Sequence, residues 1–420
     1  MKKHLVFIVS EYLPFPSANG VCISNVIAEL SKKNDLSITI ICLKSEKKQK
    51  AFEIIDNIKV QRIETFERKI RNDIKSSNIK SNKKIFYMNI VRIYKYLKDI
   101  LHLTTYDRSL KKVLVEKIIE VNKQDNIDYI FPVCFPFESV IASKEVNEKF
   151  EIPYTPILFD KYSVSNTLHR NKLNRKLKFK RNLSFEIENI RYSNKVIASY
   201  DWKKHIIANW NFNDDFTLYG YPPTLLKSTK NLYQKEIFTG KFIFAGSVNK
   251  NIRPVKFIID FFSQLLHKNA EYHVDFYTQG NEKEKLDFLS KSFPNQVMSN
   301  STVSKDEISS LMKNSDVLIS IGNTDTSQTP SKVFEYIGLN QPIIHFYHSI
   351  EDPVLNILNQ YDKGLSISQD YKKMEYSMKQ FDNFINKVKM NSFKNNTEAS
   401  LYEATPHYYA SIIRDLIFSV

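Results

Sequence analysis

Short runs of consecutive apolar residues alternate along this chain with longer segments in which apolar residues recur every three or four positions. The first run, Leu5–Val9, predicts a buried strand. A turn-forming loop, Pro14–Gly20, leads into a helical pattern, and Ile38–Leu43 predicts the next buried strand. Strand, helix and strand in this order form a βαβ unit, which predicts a parallel sheet with right-handed crossovers.

The same alternation continues through the rest of the chain. Residues 64–125 have a helical pattern, and a polar linker runs from 219 to 239. The further predicted strands are Asp128–Val133, Ile152–Phe159, Val196–Ser199, Phe242–Ala245, His273–Tyr277, Val317–Ile321 and Pro342–Phe346, and the last predicted helix is Tyr408–Phe418. We therefore predict an α/β protein with two Rossmann-like domains that face each other across a cleft, over residues 1–222 and 223–405. A C-terminal helix, 406–420, is expected to pack back on the first domain.

Charge adds information about partners. The chain has 420 residues, 61 of them Lys or Arg against 46 Asp or Glu, so its formal net charge is +15. This surplus favours an anionic partner, such as nucleic acid, an anionic membrane or a phosphorylated substrate. A basic surface without a dedicated partner remains an alternative. The hydrophobic fraction of 42% excludes general disorder, and only 8 glycines exclude a collagen-like chain.

The cysteines and the N-terminus indicate the compartment. Cys22, Cys42 and Cys134 are odd in number and lack metal-ligand spacing, which predicts buried thiols in a reducing compartment. The apolar run behind Lys2 and Lys3 is too short for a signal peptide. No stretch approaches the roughly 18 apolar residues of a spanning helix. We expect a soluble or peripheral protein.

Several strong motifs are absent. The chain has no G-x-G-x-x-G, Walker A, H-E-x-x-H or G-x-S-x-G sequence, which argues against dinucleotide oxidoreductases, P-loop enzymes, zincins and α/β-hydrolases. It also lacks a D-x-D triplet, and its nine histidines are scattered, so no metal site is predicted. No helix-turn-helix, RRM, KH or zinc-finger pattern supports binding of nucleic acid.

The most informative stretch is Ser315–Phe346, where a buried strand is followed by a polar loop and a helix that starts near Ser331. Ser331 is expected to cap that helix, whose free N–H groups and positive dipole end favour an anion. Lys332 adds a cation in the first turn, which is unfavourable for the dipole unless an anion binds there. Glu335, one turn on, could reach hydroxyls beside that anion. A capped helix with a surface lysine and glutamate explains the same residues.

This stretch resembles the signature of GT-B glycosyltransferases of the family 4 type, particularly bacterial enzymes that assemble surface polysaccharides. The family's Q-x-P-S-K-x-F-E-Y loop and following K/Q-P-I-I strand match residues 328–336 and 341–344. The resemblance implies a donor-binding loop of Gln328, Thr329, Pro330 and Ser331, with Ser331 and Lys332 on the donor diphosphate and Glu335 on the ribose. Ser327 stands where the E-x7-E form of the motif has its first glutamate.

The resemblance extends, more weakly, over most of the chain. Residues 242–247 are similar to the first strand and turn of the family's C-terminal domain, so Gly246 and Ser247 would face the donor phosphates, and Arg253 would be a phosphate-binding cation. Asn19 and Gly20 match the glycine-bearing, acceptor-side loop after the first strand. Asp160 ends a strand where the family has His-Asp, although phenylalanine precedes it here. A surface arginine, a plain turn and a helix N-cap explain these residues equally well. Glu186 falls on the family's helix glutamate, and we interpret it as structural.

Two basic segments lie in the first half of the chain. Leu168–Arg181 contains seven basic residues and no acidic one, with Leu173 and Leu177 four positions apart. Lys83–Lys98 interleaves aromatic and aliphatic residues with lysine and arginine. This pattern is typical of helices that lie in a membrane interface, so we expect docking on an anionic membrane. A solvated helix face over the core remains an alternative.

Together, the resemblance implies a GT-B glycosyltransferase with an acceptor domain, 1–222, and a nucleotide-sugar donor domain, 223–405. It would move a sugar from a nucleotide sugar, bound as substrate rather than cofactor, to a membrane-associated, lipid-linked saccharide. We expect retention of configuration, no metal, catalysis by Lys332, Arg253 and Asp160, and a cytoplasmic location on the inner face of the cell membrane. A non-catalytic GT-B subunit that stabilises a partner transferase, or a sugar-nucleotide epimerase, are the alternatives.

Overall fold

The computed structural model describes residues 2–77, 81–101, 106–165, 168–169, 172–226, 237–326, 329–393 and 401–418. Two compact units divide the chain. Unit 1 contains Met1–Pro223 together with Thr405–Val420, and unit 2 contains Thr224–Ala404.

Unit 1 is built on one sheet of eight strands. The strands are β1 (Lys3–Ile8), β2 (Leu36–Leu43), β3 (Phe52–Ile55), β4 (Ile58–Ile63), β5 (Tyr129–Cys134), β6 (Ile157–Leu158), β7 (Val196–Ser199) and β8 (Thr217–Gly220). Their order in the sheet is β3-β4-β2-β1-β5-β6-β7-β8, and the pairs are parallel apart from the β3–β4 hairpin. Strand order therefore reverses between β1 and β5, as in doubly wound folds.

Helices cover both faces of this sheet. They are α1 (Ala18–Leu30), α2 (Phe66–Ser76), α3 (Ser81–Leu101), α4 (Arg108–Gln124), α5 (Glu138–Phe150), α6 (Lys172–Ile190) and α7 (Lys203–Asn209). Alternate residues of a strand face opposite sides, and Val6 belongs to the core under α4 and α5 while Phe7 belongs to the core under α1. Burial on both sides explains why the strands are continuous apolar runs.

Two features of unit 1 differ from the sequence-based prediction. The strand predicted over Ile152–Phe159 is wrong in extent: only β6 is regular, with one isolated bridge at Tyr154. The reason is that Pro153 and Pro156 have no N–H to donate to a ladder. The β3–β4 hairpin was not predicted; Asp56 and Asn57 form its turn with φ of 49° and 66°, as type I′ turns require.

Unit 2 repeats the architecture with six parallel strands. They are β9 (Lys241–Ser247), β10 (His273–Gln279), β11 (Val297–Asn300), β12 (Val317–Ile321), β13 (Ile343–Tyr347) and β14 (Gly364–Ser368), in the order β11-β10-β9-β12-β13-β14. The helices are α8 (Lys256–Lys268), α9 (Lys283–Ser292), α10 (Lys305–Lys313), α11 (Lys332–Gly338), α12 (Pro353–Leu358) and α13 (Met374–Lys389). This strand order is that of a dinucleotide-binding sheet, and it reverses between β9 and β12.

The last helix, α14 (Pro406–Phe418), belongs to unit 1. It packs against α1, and Tyr409, Ile413 and Ile417 join the core beneath that helix. Arg414 forms a bidentate ion pair with Asp35, in which Nη1 lies 2.7 Å from Oδ2 and Nη2 lies 3.0 Å from Oδ1. Among the described residues, no helix is both long enough and apolar enough to cross a membrane.

Candidate functional site

The candidate site of unit 2 lies at the carboxyl edge of its sheet, where strand order reverses between β9 and β12. Ligands of open α/β sheets bind at this point, because the loops after the two strands diverge and leave a crevice. Gly246 and Ser247 end β9, so both lie at this edge. The loop after β9 carries Arg253, and the segment after β12 leads to α11.

Two side chains of helix α11 donate hydrogen bonds to the same backbone carbonyl near the end of β9. Lys332 Nζ donates to the carbonyl oxygen of Ala245 at 2.7 Å, and the Tyr336 hydroxyl donates to the same oxygen at 3.2 Å. Loss of hydration lowers the pKa of Lys332, the nearby Glu335 opposes this change, and the positive charge of Arg253 adds to it. Lys332, Glu335 and Arg253 therefore lie close enough to influence one another.

Arg253 joins the two loops that flank the crevice. Its Nε donates to Asn323 Oδ1, just after β12, at 2.8 Å, and its backbone N–H donates to Asn249 O at 2.7 Å. Burial lowers the pKa of Arg253, against the effects of Tyr336 and Asp352. Within the described ranges, no carboxylate forms an ion pair with Arg253 or Lys332. These two partly desolvated cations are only partly offset by the nearby Glu335 and Asp352, and they make this crevice attractive to an anion.

The start of α11 differs from the prediction. Ser331 holds the N-cap position, but its side chain makes no capping hydrogen bond, so the predicted cap is wrong. The physical reason is the backbone: φ −60° and ψ −25° are helical, whereas a capping side chain needs an extended residue. The helix has only 7 residues. Attraction for an anion here therefore comes from side-chain charge more than from a helix dipole.

The structure describes only some of the other residues that were predicted to bind the donor. Thr329 is buried and Pro330 half-buried immediately before α11, and Glu335 is half-buried on it. Gln328 lies outside the described residues, as does Ser327. The structure thus brings Gly246, Arg253, Lys332 and Glu335 to one edge, while their roles as donor ligands stay predictions.

Asn19 and Asp160 meet at the corresponding edge of unit 1. Asn19 Nδ2 donates to Cys134 O, at the end of β5, at 3.0 Å and to Asp160 Oδ2 at 3.1 Å. Asp160 follows β6 in a loop, so it is not a helix N-cap. These contacts place both side chains beside the reversal point between β1 and β5.

The loop predicted for Asn19 and Gly20 is wrong, because α1 already begins at Ala18. Ser17 caps this helix by accepting a hydrogen bond from the Gly20 N–H at 3.2 Å. Gly20 is required for another reason: a Cβ there would lie 2.0 Å from the Glu11 carbonyl oxygen. The glycine therefore allows the loop after β1 to pass close to α1.

A buried histidine–aspartate pair beside the unit 2 crevice was missed. His345 Nε2 lies 3.1 Å from Asp352 Oδ2, and its Nδ1 lies 2.9 Å from Ser320 Oγ. Asp352 also caps α12, accepting from the Val354 N–H at 2.9 Å. The sequence signal was available, since Asp followed by Pro is typical of a helix start.

Glu186 is fully buried in unit 1, and both of its carboxylate oxygens accept hydrogen bonds. It accepts hydrogen bonds from His205 Nε2 at 2.7 Å, Trp210 Nε1 at 3.2 Å and the Ser163 N–H at 2.9 Å. These contacts agree with a structural role.

The two basic segments adopt the predicted helices but expose different side chains. On α3, nine large apolar side chains are exposed: Ile85, Phe86, Tyr87, Ile90, Ile93, Tyr94, Tyr96, Leu97 and Leu101. On α6, Leu173 and Leu177 are exposed, whereas Lys178 is buried, so the expectation of a cationic face that includes Lys178 is wrong. Arg170 lies outside the described residues.

In the described parts of the chain, no three His, Cys, Asp or Glu side chains are grouped to hold a metal ion.

Comparisons with known proteins agree with this architecture. No family model matches the sequence, and no curated protein matches it. A sucrose-phosphate synthase from Thermosynechococcus elongatus superposes with a TM-score of 0.63, at 10% identity over 100% of both chains. A lipopolysaccharide outer core galactosyltransferase gives 0.56 at 17% identity over 99% of both chains. A UDP-GlcNAc 2-epimerase from Neisseria meningitidis, bound to UDP-GlcNAc, gives 0.57 at 13% identity over 100% of both.

These likenesses show the fold. The chain is an α/β protein with the GT-B glycosyltransferase fold, which confirms the predicted fold class. Because an epimerase shares this fold with two synthetic enzymes, the reaction must be argued from the site.

Proposed function

We propose that this protein transfers a sugar from a nucleotide-sugar donor to a membrane-associated, lipid-linked saccharide during surface polysaccharide synthesis. The observation that carries the donor half of the proposal is a pair of cations at the reversal point of the unit 2 sheet, Arg253 and Lys332, with which no described carboxylate forms an ion pair. Anion binding at this point supports a nucleotide diphosphate, and the solved relative that is bound to UDP-GlcNAc is consistent with it.

Each donor group has a proposed partner. Arg253 and Lys332 bind the diphosphate, Glu335 accepts hydrogen bonds from the ribose hydroxyls, and the backbone at Gly246 and Ser247 approaches the phosphates. Lys332 is already held in place by its bond to Ala245 O, so little reorganisation is needed when the donor binds. The donor loop 328–331 completes the site in this proposal.

Catalysis in this proposal is electrostatic. When the bond between the sugar C1 and the diphosphate oxygen breaks, the diphosphate leaves with the electron pair, and its growing negative charge is stabilised by Lys332 and Arg253. The acceptor hydroxyl then bonds to C1 on the face that the diphosphate left, which retains the configuration, and its proton passes to the departing diphosphate oxygen. Asp160, oriented by Asn19, accepts a hydrogen bond from the acceptor. No step needs a metal ion.

Helix α3 is the proposed membrane contact, and in this proposal the protein docks on the inner face of the cell membrane. Its exposed apolar side chains alternate with cations that include Lys83, Arg92 and Lys95. Apolar groups enter the acyl boundary, while each Lys or Arg near an anionic surface adds about 1 kcal/mol of attraction. The exposed Leu173 and Leu177 of α6 provide a second, smaller contact.

The test measures nucleotide release and product formation with UDP-glucose, UDP-galactose and UDP-GlcNAc, with and without a bacterial lipid extract. Lys332→Ala and Arg253→Ala should each lower kcat/KM by about tenfold to a hundredfold, because a hydrogen bond to a charged group contributes about 1.5–3 kcal/mol. Glu335→Gln should mainly raise KM. Lys387→Ala, an exposed lysine of α13, is the matched control.

The same assay decides between the alternatives. Conversion of UDP-GlcNAc to its epimer without nucleotide release would identify an epimerase, which the solved epimerase relative makes the second candidate. Binding of donor without release or conversion, with or without lipid, would favour the non-catalytic subunit. Wild-type kinetics for both Lys332→Ala and Arg253→Ala would refute the donor site.

A further inference from the structure

A cavity of about 640 Å³ opens in unit 1 at the carboxyl edge of its sheet. Glu11 and Phe15 border it after β1, residues 45–48 after β2, and one side of α2 after β4. Parallel strands end at the same edge, so three loops converge on this space although they are distant in sequence. The cavity belongs to unit 1 alone and contains none of the predicted site residues.

The lining of this cavity is cationic. Lys47, Lys48, Arg68 and Arg71 outnumber Glu11 and Glu46. Arg68 pairs with Glu11, and Lys47 pairs with Asp73 at 2.7 Å. Lys48 and Arg71 form no ion pair with any residue that the structure describes. Two uncompensated positive charges therefore remain at the cavity wall.

The positive charges of Arg68 and Arg71 also repel each other. Burial, together with a smaller effect of the charge of Arg71, lowers the pKa of Arg68 to about 10. Arg68 is held in place, since its Nε donates to Lys44 O at 2.7 Å. An anion bound beside both guanidinium groups would relieve this repulsion, and arginine is well suited to phosphate because it donates two parallel hydrogen bonds.

The cationic cavity continues towards the exposed apolar helix. Arg71 also lines a second cavity, of about 390 Å³, which lies between α2 and α3. Val91, Ile93 and Tyr96 of α3 form the apolar part of its wall. Arg71 thus joins the cationic cavity to a second, mixed wall, in which Glu67, Arg92 and Lys95 accompany the apolar side chains.

We infer that the cavity of unit 1 binds the phosphate-bearing head of an amphiphilic acceptor, whose apolar chain lies along α3. This inference rests on the proposed function and adds the acceptor's chemical class, a lipid phosphate or diphosphate. The geometry suits such a molecule because its head meets Lys48 and Arg71 while its chain meets Ile93 and Tyr96. A free phosphate compound would use only the first of these two surfaces.

The test compares three probes: farnesyl diphosphate, inorganic pyrophosphate and farnesol. Binding is measured by calorimetry below the aggregation limit of the amphiphile, in a Lys332→Ala background, so that the donor site of unit 2 does not compete for diphosphate. The cavity variant is Lys48→Ala with Arg71→Ala. The control is Lys33→Ala with Lys123→Ala, two exposed lysines that precede β2 and β5 and so lie at the opposite edge of the sheet.

Farnesyl diphosphate should bind the control protein at least tenfold more tightly than either other probe, and the cavity variant should lose at least about tenfold of that affinity. Arg71→Lys should lose less than Arg71→Ala, because it keeps the charge. Equal affinity in cavity variant and control would overturn the site. Equal affinity for pyrophosphate and farnesyl diphosphate would overturn the lipid assignment. Because no nucleotide sugar is used, failure of the donor site leaves this result interpretable.

Discussion

Removing the exposed apolar stripe of α3 should release the protein from membranes without unfolding it. Ile90, Ile93 and Leu97 follow one another at helical spacings of three and four, so they lie on one face of the helix. Their exposed fractions are 48%, 59% and 52%. The perturbation is the triple change of these residues to serine.

The expected magnitude follows from the exposed fractions. Full burial of an Ile or Leu side chain contributes about 1.5–3 kcal/mol, and roughly half of each side chain is available to a membrane, so each contributes about 1 kcal/mol. Three substitutions should therefore cost about 3 kcal/mol, which corresponds to about a hundredfold in partition coefficient. The other half of each side chain packs on the protein, so the free energy of unfolding should fall by a similar amount in this variant and in a control that changes comparably exposed apolar residues elsewhere.

Co-sedimentation with vesicles of neutral lipid, alone or with 30% anionic lipid, measures the partition coefficient. The matched control changes Ile54, Phe150 and Ile207 to serine, which are exposed apolar residues of unit 1 outside α3. Binding of the wild type should weaken as salt rises from 0.1 to 1 M, since the Debye length falls from about 10 to about 3 Å. Equal partitioning of the triple variant and its control, or no wild-type binding to anionic vesicles, would refute the argument.

Three further predictions concern metal, packing and pH. Sugar transfer should persist in excess EDTA, and a loss that Mg²⁺ or Mn²⁺ restores would contradict it. Gly322→Ala should lower the free energy of unfolding by about 1–3 kcal/mol, because the new Cβ would lie 2.4 Å from Asp352 Oδ2; urea denaturation measures this, with Gly364→Ala as a looser comparison at 3.1 Å. Burial lowers the pKa of His169 and of His348, so the unfolded chain binds more protons and the free energy of unfolding should fall between pH 7.5 and 5.5. Changing both histidines to Gln should flatten that dependence, and an unchanged slope would refute it.

The strand predictions succeeded where a strand is buried on both faces. Val196–Ser199 and Val317–Ile321 have the predicted bounds, because parallel strands under two helical layers must be apolar throughout. The two serine caps show where such reasoning fails. Ser17 and Ser331 both precede a helix, yet only Ser17 has the extended backbone, at ψ 172°, that lets a hydroxyl reach back to the helix. Backbone angles at a loop end depend on tertiary contacts, and residue type alone does not determine them.

The sequence by itself determined the alternation of strands and helices, the excess of positive charge, and the motif that pointed to the GT-B fold. Local hydrophobic spacing carries this information, because burial of one face is decided within each segment. Only the tertiary structure decided that Arg253 meets Asn323 and that Asn19 meets Asp160, pairs that are 70 and 141 positions apart. It also decided that Arg71 joins a cationic cavity to α3. Such contacts depend on strand order, and the order in which strands pair is a property of the whole sheet.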